Sequence, residues 1–98
     1  MTYWVVVREP GPAWDRSRPM RQQDGWDGHA AFMDALAAEG FIVLGGPLGD
    51  GWQFMHVVDA DGEDEIERRL AADPWAPMQL LRTRSIEPWK ILLARDEL

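Results

Sequence analysis

Two short β-type runs joined by a glycine-rich turn lie between two helix-like segments, and this arrangement constrains the fold more than any other feature. The runs are F-I-V-L at 41–44 and W-Q-F-M-H-V-V at 52–58, and G-G-P-L-G-D-G joins them. Runs of β-branched and aromatic residues around such a turn are typical of a β-hairpin. The turn opens no helix, so it lacks the context of a phosphate-binding loop.

The segment before the hairpin is predicted to be a helix over about 26–39. Its apolar face repeats at helical spacing and comprises Trp26, His29, Ala30, Met33, Leu36 and Ala37. Asp24 or Asp27 is the predicted N-cap, because a short carboxylate accepts hydrogen bonds from the free amides at a helix start. Gly40 is predicted to end the helix, since glycine readily adopts the left-handed conformation found there.

A second helix is predicted over about 62–72, after the hairpin. Its first turn is acidic, as the helix dipole favours, and Asp61 is its predicted N-cap. Ile66 and Leu70 mark the buried face, and Pro74 stops the helix because the residue before a proline avoids helical geometry.

Two further strands, one at each end of the sequence pattern, complete the fold. Y-W-V-V-V-R at 3–8 is apolar on both faces and is predicted to be a central strand, and the last strand is predicted over about 79–87. The βαββαβ order predicts a ferredoxin-like α+β fold, with a four-stranded antiparallel sheet and both helices on one face. The other face of the sheet is then apolar and bare, which predicts a homodimer formed through this open sheet face.

Length and composition suit one small domain. The 98 residues predict a single domain over 1–98 that includes a long polar loop at 10–24. The tail at 91–98 has no decisive pattern. Six tryptophans are many for a chain of this size, which favours an apolar interface or an aromatic-lined pocket for a small-molecule ligand.

Charge and residue content exclude several classes of function. Ten basic against 17 acidic residues give a net charge of −7, which disfavours binding to nucleic acid. The absence of cysteine excludes disulfides and thiolate chemistry. No apolar run approaches the roughly 20 residues of a membrane span, and no signal peptide is evident. A cytoplasmic location is therefore expected by default.

His29 is one of two histidines and lies on the inward edge of the first predicted helix. It is either a hydrogen-bonded structural residue or a general acid–base, because an imidazole titrates near neutral pH. A catalytic histidine needs an orienting carboxylate, and Asp73 in A-A-D-P-W is the candidate. The alternative role of Asp73 is to cap the turn that begins at Pro74. Side-by-side helices in this fold allow His29 and Asp73 to meet.

Four further residues are candidates for contact with a substrate. His56 is either hydrogen-bonded within the sheet or part of a pocket, and Trp75 belongs to the A-A-D-P-W segment. Arg82 and Arg84 alternate along the last strand, on one side with Leu80 and Ile86. They bind a carboxylate or phenolate if that side lines a cavity, and are otherwise solvated or ion-paired. The histidine spacing matches no metal-ligand motif, so neither a metal nor a cofactor is predicted.

The order of these segments resembles the YciI-like (YCII-related) family over roughly 3–89. The likeness rests on H-A-A-F-M-D-A-L-A-A-E-G-F beginning at His29, on G-G-P-L before the hairpin turn, on A-A-D-P-W, and on I-E-P-W. The long loop at 10–24 departs from compact members of that family. It carries three arginines that can reshape or cover a cleft: Arg16, Arg18 and Arg21.

The resemblance implies a ferredoxin-like fold that dimerises sheet to sheet, as in dimeric α/β-barrel proteins. It also implies that His29 and Asp73 form an active-site pair, with His29 as general acid–base and Asp73 fixing its tautomer. One member of that family is a dehydrochlorinase of a hydroxylated chloroaromatic. The leading hypothesis is therefore proton abstraction or elimination on a small molecule, in a cleft near the dimer interface. The alternatives are a non-catalytic dimer that binds a ligand or partner protein, and a haem- or metal-using relative.

Overall fold

The computed structural model describes residues 2–95, and its main elements follow the predicted βαββαβ order. In chain order they are β1 (Tyr3–Pro10), α1 (Trp26–Ala38), β2 (Ile42–Leu48), β3 (Gln53–Asp59), α2 (Glu63–Ala71) and β4 (Leu81–Pro88). The strands form one antiparallel sheet in the order β2-β3-β1-β4. The predicted ferredoxin-like α+β fold is confirmed.

Both helices pack on one face of the sheet, because their apolar residues share a core with inward-facing strand residues. Val6 of β1, Val58 of β3 and Ile66 of α2 are fully buried in this core. Leu36 of α1 and Leu70 of α2 belong to the same cluster. Burial of each such side chain contributes roughly 1.5–3 kcal/mol. The helix-side layer is therefore the main hydrophobic core.

The helix ends differ from the predicted caps at three aspartates. Gly25 is the N-cap of α1, with φ of 74° and no side-chain hydrogen bond, so the prediction that Asp24 or Asp27 caps this helix is wrong. Gly62, not Asp61, is the N-cap of α2. At the end of α1, Gly40 has φ of 87°, and its predicted role as the helix stop is confirmed.

The first hairpin strand is longer than the sequence pattern predicts. The pattern ends the first strand at Leu44, but β2 continues through G-G-P-L to Leu48, and the turn is confined to 49–52. Pro47 is accommodated because β2 is an edge strand, where a missing N–H need not break a ladder. The glycine-rich segment is therefore partly strand and partly turn.

Residues 73–80 form successive turns between α2 and β4, so the last strand begins at Leu81 rather than at 79. Gln79 in this segment has φ of 59°, a conformation uncommon for residues other than glycine. Within these turns, Asp73 and Trp75 are both fully buried. The segment thus packs into the interior and brings two side chains to the first turns of α1.

A bulge in β4 changes which side chains share a face. Val7 pairs with Ser85 but the next residue, Arg8, pairs with Thr83, so Arg84 is the extra residue. A bulge of one residue reverses the alternation of side chains. Ile86 packs against the helix-side core, and the arginines before it are exposed. The prediction that Ile86 shares their side is wrong.

The long loop at 10–24 is ordered by its own polar contacts and contains a short 3-10 helix, Met20–Gln22. Gln23 is buried, and its side-chain amide donates to the carbonyl oxygens of Asp15 and Arg18. The end of the chain forms no helix or strand between 89 and 95, and the rest of the undecided tail, 96–98, lies outside the described residues. Within 2–95, no helix has both the length and the apolar character of a membrane span.

Candidate functional site

His29 lies in the first turns of α1, and only 6% of its surface is exposed. Its backbone N–H donates to the carbonyl of Gly25 at 3.1 Å, so the helix start fixes its position. The ring Nδ1 is 2.9 Å from Oδ2 and 3.0 Å from Oδ1 of Asp73. The structure therefore brings together the two residues that the sequence singled out as a pair.

Asp73 is fully buried and accepts hydrogen bonds from three sides. Besides His29, its Oδ1 accepts the backbone N–H of Trp75 at 2.9 Å, and its Oδ2 accepts Nη1 of Arg8 at 3.0 Å. The bond from Trp75 is the contact expected of an aspartate that caps a turn. Asp73 consequently holds the local backbone and the imidazole at the same time.

The ionisation of Asp73 determines which nitrogen of His29 carries a proton. Burial raises the pKa of Asp73, but hydrogen bonds from His29 and Trp75 and the charges of His29 and Arg8 lower the pKa below its ordinary value overall. An ionised carboxylate only accepts hydrogen bonds, so Nδ1 of His29 carries the proton. Nε2 is then the basic nitrogen of the neutral ring, and it has no hydrogen-bond partner among residues 2–95.

Trp75 packs flat against the imidazole. The two rings are 3.9 Å apart between centroids and 7° from parallel, and the indole Nε1 donates to the carbonyl of Asp24 at 2.7 Å. Trp75 is fully buried, between His29 and two more aromatic rings, those of Trp14 and Trp26. Trp75 therefore acts on the site by fixing the plane of His29, and it does not line the cavity that His29 faces.

Arg8 is a site residue that the sequence analysis missed. It lies on β1 with only 2% exposure, and its guanidinium joins Asp73 through Nη1. Nη1 also lies 4.0 Å from the sulfur of Met33. The available signal was its position two residues after Val6, in a strand predicted to be buried on both faces. An arginine at an inward-facing position needs a buried anion, and that signal was not used.

His56 lies beside Arg8 on the helix-facing side of the sheet. It pairs with Val6 across β3 and β1, is 9% exposed, and its Nδ1 is buried without a hydrogen-bond partner. Burial, followed by the charges of Arg8 and His29, lowers the pKa of His56 to about 4. His56 is therefore neutral at physiological pH.

Gly45 of β2 makes room for the ring of His56. A Cβ at position 45 would lie 2.5 Å from Cδ2 of His56, which is closer than side-chain carbons approach. Gly45, the first glycine of G-G-P-L, thus permits the edge strand to pass directly over the imidazole. This is a steric role that the turn interpretation of the segment did not include.

A cavity of about 270 Å³ opens beside these residues, between α1, β2 and the centre of the sheet. Its polar lining includes His29, His56 and Arg8, with the exposed Asp34 at the helix side. Its apolar lining includes Met20 of the long loop, Trp26, Met33, Ile42, Phe54 and Leu81. An engineered cavity of about 150 Å³ is large enough for benzene, so this space accommodates one substituted ring.

Arg82 and Arg84 lie elsewhere. Both are more than half exposed and both pair with Glu9, at 2.8 and 3.4 Å respectively. They border a separate surface depression with Arg16 and Trp52, and not the cavity beside His29. Their arrangement matches the ion-paired alternative stated for them. Within residues 2–95, no cluster of three or more His, Cys, Asp or Glu side chains is placed to hold a metal ion.

Comparison with known proteins finds similarity to solved structures. No protein-family model matches this chain, and no curated protein matches it. Among solved structures, the chain is similar to 5-chloro-2-hydroxyhydroquinone dehydrochlorinase (TftG) from Burkholderia phenoliruptrix AC1100, in complex with 2,5-dihydroxybenzoquinone. The TM-score is 0.68 and the sequence identity 26%, over 90% of this chain and 93% of that one. The fold is thus shared with an enzyme that acts on a small molecule.

Proposed function

We propose that this protein is a YciI-like small-molecule enzyme in which His29 and Asp73 perform general acid–base chemistry. One observation carries the proposal: Asp73 fixes Nδ1 of a buried imidazole whose ring lines a cavity of single-ring size. A base held by one nitrogen presents the other to a ligand in a defined orientation. This is the role that a carboxylate plays toward histidine in other His–Asp pairs.

The proposed step is a proton abstraction followed by elimination. Nε2 of His29 takes a proton from a ring hydroxyl of the substrate, and the imidazolium returns it to the ring carbon that bears the leaving group, so that this carbon becomes tetrahedral. A second hydroxyl then loses its proton, its electron pair moves through the ring, and a leaving group such as chloride departs with its bonding pair. A substrate that already has a carbonyl loses the proton from the neighbouring carbon, and the same pair expels the leaving group. Ionised Asp73 stabilises the imidazolium that forms. The net loss of H⁺ and Cl⁻ is redox-neutral, so the proposal requires no cofactor.

The proposed substrate is a small hydroxylated ring. The apolar side chains around the cavity, such as Phe54 and Met33, suit the faces of a ring. The polar groups are gathered near His29, where the oxygens of such a ring would lie. The likeness to a dehydrochlorinase that was solved with a dihydroxybenzoquinone supports the same class of compound here.

Chloride release tests this function. Wild-type protein is incubated with 5-chloro-2-hydroxyhydroquinone, and free chloride is measured against a protein-free blank. His29→Gln is expected to lower kcat/KM by about 100-fold or more, the usual contribution of a general base. Asp73→Asn is expected to lower it as well, because the amide does not fix the same tautomer. Asp64→Asn, on the exposed face of α2, is the matched control and keeps wild-type activity.

The outcomes separate the two candidate functions. Chloride release that is unchanged in His29→Gln contradicts the proposed chemistry. Tight binding of the ring without any release favours the alternative, a non-catalytic dimeric module that binds a ligand or a partner protein. In that case Asp73 and His29 act as binding groups only.

A further inference from the structure

Two buried polar atoms without partners point to the same cavity. Within residues 2–95, the buried side-chain nitrogens that lack a hydrogen-bond partner are Nε of Arg8 and Nδ1 of His56, and both residues line the cavity beside His29. Folded proteins rarely leave buried polar groups unsatisfied, because each such group loses its hydrogen bonds to water without replacement. Both side chains line the same cavity, so their remaining polar atoms are the candidates for contact with a ligand there.

Arg8 has donors to spare after its contact with Asp73. A guanidinium carries five N–H bonds in a fixed fork. The contacts of Arg8 involve Nη1 alone, which reaches Oδ2 of Asp73 and the sulfur of Met33. A side chain that is 2% exposed cannot direct its remaining donors to bulk water. They are available to a group that enters the cavity.

The charge balance favours an anionic group. With Arg8 cationic, Asp73 ionised and His56 neutral, the buried groups around His29 sum to zero. When His29 accepts a proton, these groups gain one positive charge. An oxygen that becomes negative on the substrate restores the balance, and buried charges are stable only when paired.

We infer that Arg8 is the oxyanion-binding residue of this cavity, and that the ligand is a small planar acid with an ionised ring oxygen, such as a hydroxyquinone or a phenolate. This inference rests on the proposed function, since it takes the same cavity as the substrate site. Arg8 donates from Nη2, the half of its fork that Asp73 does not use, to the oxygen where charge develops. Neutral His56, diagonally opposite Arg8 on β3, supplies a second polar partner for the ring.

Binding measured without turnover tests the inference. The probes are 2,5-dihydroxybenzoquinone, which is ionised at neutral pH, and hydroquinone, a neutral ring of similar size. Isothermal titration calorimetry is expected to show that Arg8→Gln lowers the affinity for the ionised probe about 10- to 100-fold, the usual effect of losing a charge-assisted hydrogen bond. The affinity for the neutral probe is expected to fall less than threefold. Arg68→Gln, an exposed arginine on α2, removes the same charge and is expected to change neither affinity.

A second variant and an NMR signal keep the test decisive if Arg8→Gln does not fold. Arg8→Lys keeps the charge beside Asp73 but lacks Nε and the planar fork, and it identifies the Nε–H resonance of Arg8 by its loss. The ionised probe is expected to shift that resonance in wild-type protein, and hydroquinone is not.

Three results would overturn the inference. They are no binding of the ionised probe to wild-type protein, equal weakening of both probes by Arg8→Gln, and an unshifted Arg8 resonance at saturation. The loss of chloride release in His29→Gln is independent of all three. Failure of this inference is therefore distinguishable from failure of the proposed function.

Discussion

At the scale of single residues, three nitrogen-bearing side chains converge on one cavity and differ in charge. Nδ1 of His29 is held by Asp73, Arg8 is a permanent cation paired with the same carboxylate, and burial keeps His56 neutral. These differences come from their partners, since only Arg8 and His29 contact the carboxylate. A buried charge is tolerated where a counter-charge lies within hydrogen-bond distance, and His56 has no such contact.

The lowered pKa of His56 makes a prediction about stability and pH. Its pKa is about 4 in the folded protein and 6.5 in the ordinary state. The unfolded chain therefore binds a proton between those values while the folded protein does not, and stability is lost as the pH falls from 6.5 to 4. Between pH 7 and 4.5, wild-type protein is expected to lose about 2 kcal/mol more than His56→Gln, measured by urea unfolding.

The titration of Asp73 does not contribute to the loss of stability in that pH range. Its folded pKa lies below its ordinary value of 3.8, so its stabilising contribution is present above that value and is lost only at lower pH. The same pH dependence of unfolding in wild type and His56→Gln between pH 7 and 4.5 would contradict the assignment of a buried neutral His56.

At the scale of helices and strands, the sequence predicted element types well and element ends poorly. Helical spacing located α1 and α2 within a residue or two, because apolar periodicity follows from burial of one face. The predicted N-caps Asp24, Asp27 and Asp61 were wrong, because a glycine occupies the N-cap position of each helix. Cap choice depends on the path of the preceding loop, and local propensity does not determine that path.

The site shows the same division between local and long-range information. The His29–Asp73 contact spans 44 positions, and no local pattern fixes it. The predicted fold allowed the two residues to meet, and the resemblance to a family favoured them as an active-site pair. Arg8 was missed because its role depends on which face of β1 meets Asp73. The arginines of β4 were assigned to the side of Ile86 because the bulge at Arg84, which reverses alternation, has no signature in a strand of this composition.

At the scale of the whole molecule, the sheet face opposite the helices remains apolar. Across the pairing of β1 with β3, Val5 lies opposite Val57 and Val7 opposite Met55, on the side away from Val6 and the helices. Leu48 of the edge strand is 46% exposed. Val57 is itself buried and Val5, Val7 and Met55 are partly buried, so the exposed apolar surface of this face lies mainly at the edge strand. Exposed leucines at such an edge suit an interface, and a homodimer through the open sheet face remains our proposal.

Sedimentation equilibrium tests the proposed dimer. Wild-type protein at tens of micromolar is expected to have twice the mass of the chain, since an isologous interface buries the same patch on both copies. Leu48→Lys places a charge on the open sheet face and is expected to yield the monomer. Leu93→Lys, at a leucine that is 92% exposed in the tail, is the matched control. Wild-type protein that sediments as a monomer would refute the dimer.

The central claim is that Asp73 holds His29 as a base with Nε2 free for a ligand. Nitrogen-15 NMR of the imidazole rings measures this directly, because protonated and unprotonated ring nitrogens have different shifts. Wild-type protein is expected to show His29 with its proton on Nδ1 and a bare Nε2 at the high-pH end of the titration. Asp73→Asn is expected to shift the population toward the other tautomer. A proton on Nε2 in wild-type protein, or a His29 spectrum unaffected by Asp73→Asn, would contradict the claim.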